Sequence, residues 1–249
     1  MSALPRLLQL ADSAFPTGAF AHSLGLEGLH AGHGLRDEHD LERVLREQLA
    51  AIATSDLVVV GAAHGVAVDH AAAERSGNGP AAASTGRDGD PAIAIRALVT
   101  LDHELDATRS TRETREASRS TGERFLRAAR SVLDDRLLAD LDRAVTDGRT
   151  PGTLAVGWGV ACAGAGIDVA ATRHGFAFAA LSALSAAGQR LVPLGGIATQ
   201  RALWGAAGEI DAAIARSREV PADDLCAFLP ALDVHSAQHE RQRVRLFIS

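Results

Sequence analysis

The sequence of 249 residues contains no lysine and no tyrosine, so all 25 of its basic residues are arginine. The missing lysine removes a good deal of chemistry. A phosphate loop of the GxxxxGK[ST] type needs a lysine at the β/γ-phosphates, and Schiff-base catalysis needs a lysine amine, so this chain carries neither. If nucleotide chemistry is involved, a partner supplies most of it. Aromatic residues reach only 4%, whereas strand-rich cores lean on aromatic and β-branched side chains. The 47% hydrophobic content is built largely from Ala, Leu and Val, and Ala and Leu are the best helix formers. The expected fold is all-α, one domain over residues 1–249, a helical bundle of roughly eight to ten helices.

Cysteine is scarce as well. Cys162 and Cys226 sit in alanine-rich apolar stretches without CxxC spacing, which predicts buried, reduced thiols rather than a disulfide or a metal knuckle. The formal net charge of −6 argues against nucleic acid or an anionic membrane as the main partner. No basic region precedes an apolar run at the N-terminus, and the uncharged stretches 154–167 and 175–189 fall short of the ~20 residues a spanning helix needs. Both are expected to be buried helices of a cytoplasmic protein.

Along the chain, Leu41, Val44, Leu45, Leu49 and Ile52 recur at helical spacing behind Asp37 or Asp40 as N-cap. Leu126, Ala129, Leu133, Leu137 and Leu141 repeat the period, stopped by Gly148 and Pro151. Between these patterns, residues 71–91 are rich in Ala, Gly, Ser and Asp and are expected to form a mobile loop within the domain. The stretch from Asp106 to Thr121 carries four arginines and little apolar surface, so it is either a solvated helix braced by charge pairs or one covered by another subunit. Gly122, one turn beyond Ser118, costs a helix ~1 kcal/mol and predicts a close helix approach. Gly157-Trp158-Gly159 lacks the third glycine and the preceding strand of a dinucleotide fingerprint.

Candidate chemistry is sparse. His235 and His239 are four apart, a spacing that metals use, but they make only half a site. His22, Ser23 and Glu27 lack a GxSxG elbow, and neighbouring helical residues point in different directions. A hydrolase assembled from distant residues, or a metal-ion carrier using His235, His239 and His22, are the alternatives to a binding scaffold. Phe20 and the Arg245-Leu246-Phe247 ending supply the residue types of interface hot spots. The last helix, about Val234 to Leu246, has a thin apolar stripe, so the 234–249 tail is expected to order on a partner.

The run Leu7 to Glu27, LLQLADSAFPTGAFAHSLGLE, together with Glu113-Thr114-Arg115-Glu116-Ala117-Ser118 followed by Gly122, resembles the UreF family of urease accessory proteins. Arg173-His174, Leu191-Val192-Pro193-Leu194-Gly195, Gln200-Arg201 and the ending from Gln238 to Ser249 follow the family's order. Gly196 and Val244 depart from it, where glutamine and serine are usual. The resemblance implies a non-enzymatic, homodimeric adaptor without a stably bound cofactor, one that joins a UreD/UreH-type protein to the GTPase UreG and acts on apo-urease. Nickel would be handled by the complex, and GTP bound by the GTPase. It also implies a partner-binding set of Phe20, His22, Ser23, Glu27, Arg241, Arg245, Leu246 and Phe247, with Glu113, Arg115, Ser118 and Gly122 as helix-packing or dimer candidates.

Overall fold

A computed structural model describes residues 3–76, 91–227, 229–239 and 246–247, without the side chains of Phe20, Pro91, Gln238 and His239. Among the described residues there are twelve α-helices, one 3-10 turn and no strand. In chain order they are α1 (Leu4–Ala11), the 3-10 turn (Ala19–Ala21), α2 (Leu26–Ala31), α3 (Glu38–Ala53), α4 (Asp56–Arg75) and α5 (Pro91–Ala107). There follow α6 (Arg112–Val132), α7 (Arg136–Thr146), α8 (Leu154–Gly164), α9 (Val169–Leu191), α10 (Gly196–Ala207), α11 (Ile210–Ser217) and α12 (Pro230–His239). Helices as short as α1, α2 and α11 leave too few turns to show a period, which explains a count above the expected eight to ten.

The helix starts are chemically explicit. Asp37, Asp135 and Asp168 each accept a hydrogen bond from the backbone N–H three residues on, at 2.8–2.9 Å. Thr111 does the same for Thr114 at 3.1 Å. Each such cap contributes about 1 kcal/mol. Asp135 also breaks the leucine pattern that runs through Leu141. The single helix suggested by that period is two, because Leu133 turns to extended backbone and Asp135 caps α7. At the other boundary, α4 runs through Arg75, into the stretch expected to be loop, because Ala71-Ala72-Ala73-Glu74-Arg75 are strong helix formers. Pro91, the last residue of that stretch, already opens α5, and residues 77–90 lie outside the described residues.

The core forms around α8, whose residues from Ala155 to Cys162 are all buried. Being apolar all round, α8 has no solvent face to offer. It runs closely against α4: a Cβ on Gly159 would lie 2.7 Å from the Val60 carbonyl oxygen. Four of the few aromatics form one row through this core. Phe15 meets Phe125 at 5.5 Å between ring centroids, Phe125 meets Trp158 at 5.3 Å, and Trp158 meets Phe176 at 5.9 Å, edge-on. The row ties the N-terminal segment to α6, α8 and α9, and Trp158 completes its hydrogen bonding by donating to the Thr172 carbonyl at 2.9 Å.

The arginine-rich stretch is a corner, not one polar helix: α5 ends at Ala107 and Thr111 caps α6. Arg109 pairs with buried Asp56 at 2.5 Å, and Arg119 clasps Asp106 with two hydrogen bonds. The inward face of α6 begins with Glu113, Ala117, Thr121 and Gly122, all buried. It escaped the hydropathy pattern because its residues are small or polar.

The cysteines differ. Cys162 is buried, but Cys226 is exposed, because it lies on an irregular segment beyond α11 where its N–H donates to Thr54 at 2.9 Å. Burial pushes the Cys162 thiol up to about 12, so it stays protonated and unreactive. An aromatic disulfide reagent is expected to titrate one thiol in the native protein and the second only on unfolding. A Cys226→Ser variant that still reacts rapidly would contradict this assignment. No single helix among the described residues is long and apolar enough to cross a membrane.

Candidate functional site

The N-terminal segment is bound down residue by residue. α1 buries Leu7 and Leu10, and Gly175 on α9 clears the space that the Leu7 side chain fills. Asp12 then accepts the Ala14 N–H at 2.7 Å, and Thr17 accepts that of Ala19 at 3.2 Å. Side chains that accept from the backbone two residues on are how Asx and Ser/Thr turns form. Gly25, at φ +88°, opens α2.

Glycines then set the approach of the two chain ends. A Cβ on Gly25 would lie 2.5 Å from the Leu232 carbonyl oxygen, one on Gly28 2.6 Å from that of His235, and one on Gly32 2.9 Å from the His235 ring. Spaced three and four apart, they form a flat strip on α2 that admits the backbone of α12. Thr111 and Ser236 add a buried hydroxyl pair at 3.1 Å.

Beyond α12, the half-buried Glu27 carboxylate accepts the Leu246 N–H at 2.7 Å and the Phe247 N–H at 3.1 Å. Phe247 is buried, with the Arg190 guanidinium of α9 4.6 Å from its ring centroid. That geometry supports a cation–π contact. Leu246 points outward, 57% exposed. Thus Glu27, Leu246 and Phe247, singled out in the sequence at opposite ends, meet at one place.

Other members of the expected set lie elsewhere. His22 and Ser23 are buried in the chain itself. Burial and the nearby Arg124 hold His22 below the usual histidine range, which favours the neutral ring. Arg241 and Arg245, and the side chains of Phe20 and His239, fall outside the described residues. Glu113 is buried, Arg115 donates to the Arg109 carbonyl at 3.2 Å, and Ser118 lines a cleft. Gly122 does serve a close approach, but within the chain: a Cβ there would overlap the Gly152 carbonyl oxygen and lie 2.6 Å from the Leu154 nitrogen.

The cleft beside Ser118, about 340 Å³, runs from the N-terminal turn to α9 and is lined by His22, Gln48, Asp56, Arg109, Trp158 and Ser185, among others. The Ser185 hydroxyl within it is buried without a hydrogen-bond partner. Among the described residues no three His, Cys, Asp or Glu side chains converge as a metal site, and His235 packs against Gly32.

Several features had no clear sequence signal. Arg190 was one of many arginines. Asp102 is fully buried on α5, and its only sequence sign is a carboxylate within the apolar spacing Leu98, Leu101, Leu105. Ile197 and Trp204 of α10, 77% and 85% exposed, stand seven apart on one face and present apolar surface to solvent.

The UreF family model matches residues 35–207. The chain is 32% identical over 249 residues to the urease accessory protein UreF of Arthrobacter sp. (strain FB24), covering 98% of this chain and 96% of that protein. It is 30% identical over 243 residues to the urease accessory protein UreF of Corynebacterium glutamicum (strain R), with the same coverage. Against the urease accessory protein UreF of Rhodopseudomonas palustris (strain BisB18) it is 32% identical over 251 residues, covering 100% of this chain and 92% of that protein. A helical fold that joins the two ends of the chain, with likeness along nearly its whole length, places this protein in the UreF family of urease accessory proteins.

Proposed function

We propose that this chain is a non-catalytic adaptor in the maturation of urease, joining a UreD/UreH-type protein to a UreG-type GTPase on apo-urease. Nickel is the cargo of the assembled complex, GTP belongs to the GTPase, and the adaptor acts in the cytoplasm as a homodimer. The observation that carries this reading is the junction at Glu27. Two family-like segments, at opposite ends of the chain, are held together there by a carboxylate that takes two backbone N–H groups.

The face made by α2, α12 and the docked end is the surface assigned to the UreD/UreH-type partner. Leu246 is its exposed apolar contact, and Phe247 fixes the chain end beneath it. An adaptor of this kind works through differential binding: a partner that prefers the docked end shifts the tail toward it, and the tail strengthens that partner's binding by the same factor. In this arrangement the partner acts on an end already seated at Leu246 and Phe247.

Light scattering after size-exclusion chromatography tests the assignment, using this chain alone and mixed with UreD/UreH-type and UreG-type proteins. The full chain is expected to form a ternary complex, and a chain lacking residues 241–249 to lose the UreD/UreH-type partner. Glu27→Gln, which keeps the shape but weakens both charge-assisted hydrogen bonds, should lower that affinity about tenfold. Full binding by the truncated chain would refute the tail assignment, and no association with any nucleotide present would refute the adaptor itself.

A further inference from the structure

The cleft beside Ser118 stays open because the stretch of α9 that lines it carries Ala179, Ala180, Ala183 and Ala186, whose side chains are too small to fill it. Larger apolar groups, among them Ile52, Trp158, Phe176 and Leu203, supply its walls. On one flank α3 and α9 pack directly, and Gly188 clears room there for the Leu41 side chain.

Two polar side chains on these facing helices line the cleft without a hydrogen-bond partner among the described residues. Gln48, two turns beyond Leu41, is 8% exposed, and Ser185, one turn before Gly188, is 2% exposed. Other polar groups around the cleft are met. Ser55 donates to the Ala51 carbonyl at 2.8 Å, Thr199 to that of Gly195 at 3.4 Å, and Asp12 and Asp233 accept N–H groups of their own turns. Arg109 pairs with Asp56, although its Nε is left buried without an acceptor. A buried amide or hydroxyl that has lost its hydration and found no partner is costly, and such groups are rare in native folds.

The chemistry of an occupant follows from the groups left open. A primary amide presents a donor and an acceptor in one plane, and a second amide meets both with paired N–H···O bonds. Gln48 and Ser185 carry no charge and the ion pair beside them is already closed, so a charged ligand would be desolvated there without a counterion. The volume, about 340 Å³, is that of a small-molecule site. We propose that the cleft binds a small uncharged molecule with a ring-sized apolar body and one carboxamide group. The carboxamide meets Gln48 and Ser185, and the body lies against Trp158 and Phe176. This site is separate from the junction at Glu27 and does not depend on the adaptor reading.

Titration calorimetry on the full chain tests this with benzamide, against toluene, which has the ring without the amide, and sodium benzoate, which has the ring with a charge. Benzamide is expected to bind with a Kd of about 1 mM or tighter, and the other two at least about tenfold more weakly. Gln48→Leu, which keeps the volume but removes the amide, should weaken benzamide about tenfold and leave toluene unchanged. Its melting temperature should be no lower than that of the native chain, since an unmet buried group is gone. Ala183→Leu, which fills the cleft, should abolish binding of both. No heat from benzamide overturns the proposal. Toluene or benzoate binding as tightly as benzamide, or a Gln48→Leu protein that keeps the native affinity for benzamide, overturns it as well.

Discussion

An Asp102→Ala protein is expected to lose about 3–5 kcal/mol of stability, with a melting temperature lower by roughly 10 °C. The fully buried Asp102 carboxylate accepts four hydrogen bonds from one short loop. They come from the Thr150 hydroxyl at 2.6 Å, the Gly152 N–H at 2.6 Å, the Thr153 N–H at 2.9 Å and the Thr153 hydroxyl at 2.5 Å. Truncation would leave those donors buried without an acceptor, and it is the unmet donors rather than the lost attraction that make the change expensive. Asp102→Asn should fall between the two, since its oxygen still accepts while its amide confronts donors. Thermal melts followed by circular dichroism at 222 nm decide the matter. An alanine variant melting within about 2 °C of the native chain would show that the loop is held by other means.

The second large effect is expected at Gly122, where two rules predict opposite signs. By helix propensity alone, Gly122→Ala should stabilise α6 by ~1 kcal/mol. The added methyl, however, would overlap the Gly152 carbonyl oxygen and press on the backbone of Thr153 and Leu154. Backbone cannot rotate aside as a side chain can, so α6 must move off the start of α8. A net destabilisation of about 3 kcal/mol is expected, larger for Gly122→Val. Urea titrations with a raised midpoint for the alanine variant would show that propensity governs and that the approach is looser than described. Because Gly122 and Asp102 grip the same loop from two sides, their double variant should lose less than the sum of the single losses.

These two residues also mark how far sequence reasoning carries. Local chemistry was legible: the α3 pattern and its Asp37 cap are as the spacing of apolar and capping residues requires, and the composition called for helices. Gly122 announced a close approach through its cost in a helix, but not its target, which lies on a loop some thirty residues downstream. The corner after α5 is obscured because the buried face of α6 begins with small and polar side chains, Glu113, Ala117, Thr121 and Gly122, which a hydropathy period does not register. Asp102 and its loop are a long-range pairing, and no local rule connects a lone carboxylate with donors about fifty residues away.

The site divides in the same way. Glu27 and the chain's ending could be matched with a family pattern, yet their hydrogen bonds span 219 and 220 residues, and spacing alone gives no reason for them to meet. The glycines at 25, 28 and 32 were visible as letters of a motif. Their physical reason, room for the backbone of α12, appears only once both helices are in place. His22 and Ser23 were grouped with surface residues by their neighbours in sequence, although their side chains turn inward.

The tryptophans give the protein a built-in pair of optical probes. Trp158, 2% exposed, lies in the aromatic row, whereas Trp204, 85% exposed, stands free on α10. With no tyrosine in the chain, ultraviolet emission comes from these two indoles, one blue-shifted and shielded, the other red-shifted and open to quenchers such as iodide. Loss of the shielded component reports disruption of the core, and protection of the open one reports a molecule settling on α10, so folding and assembly can be followed in one unlabelled sample.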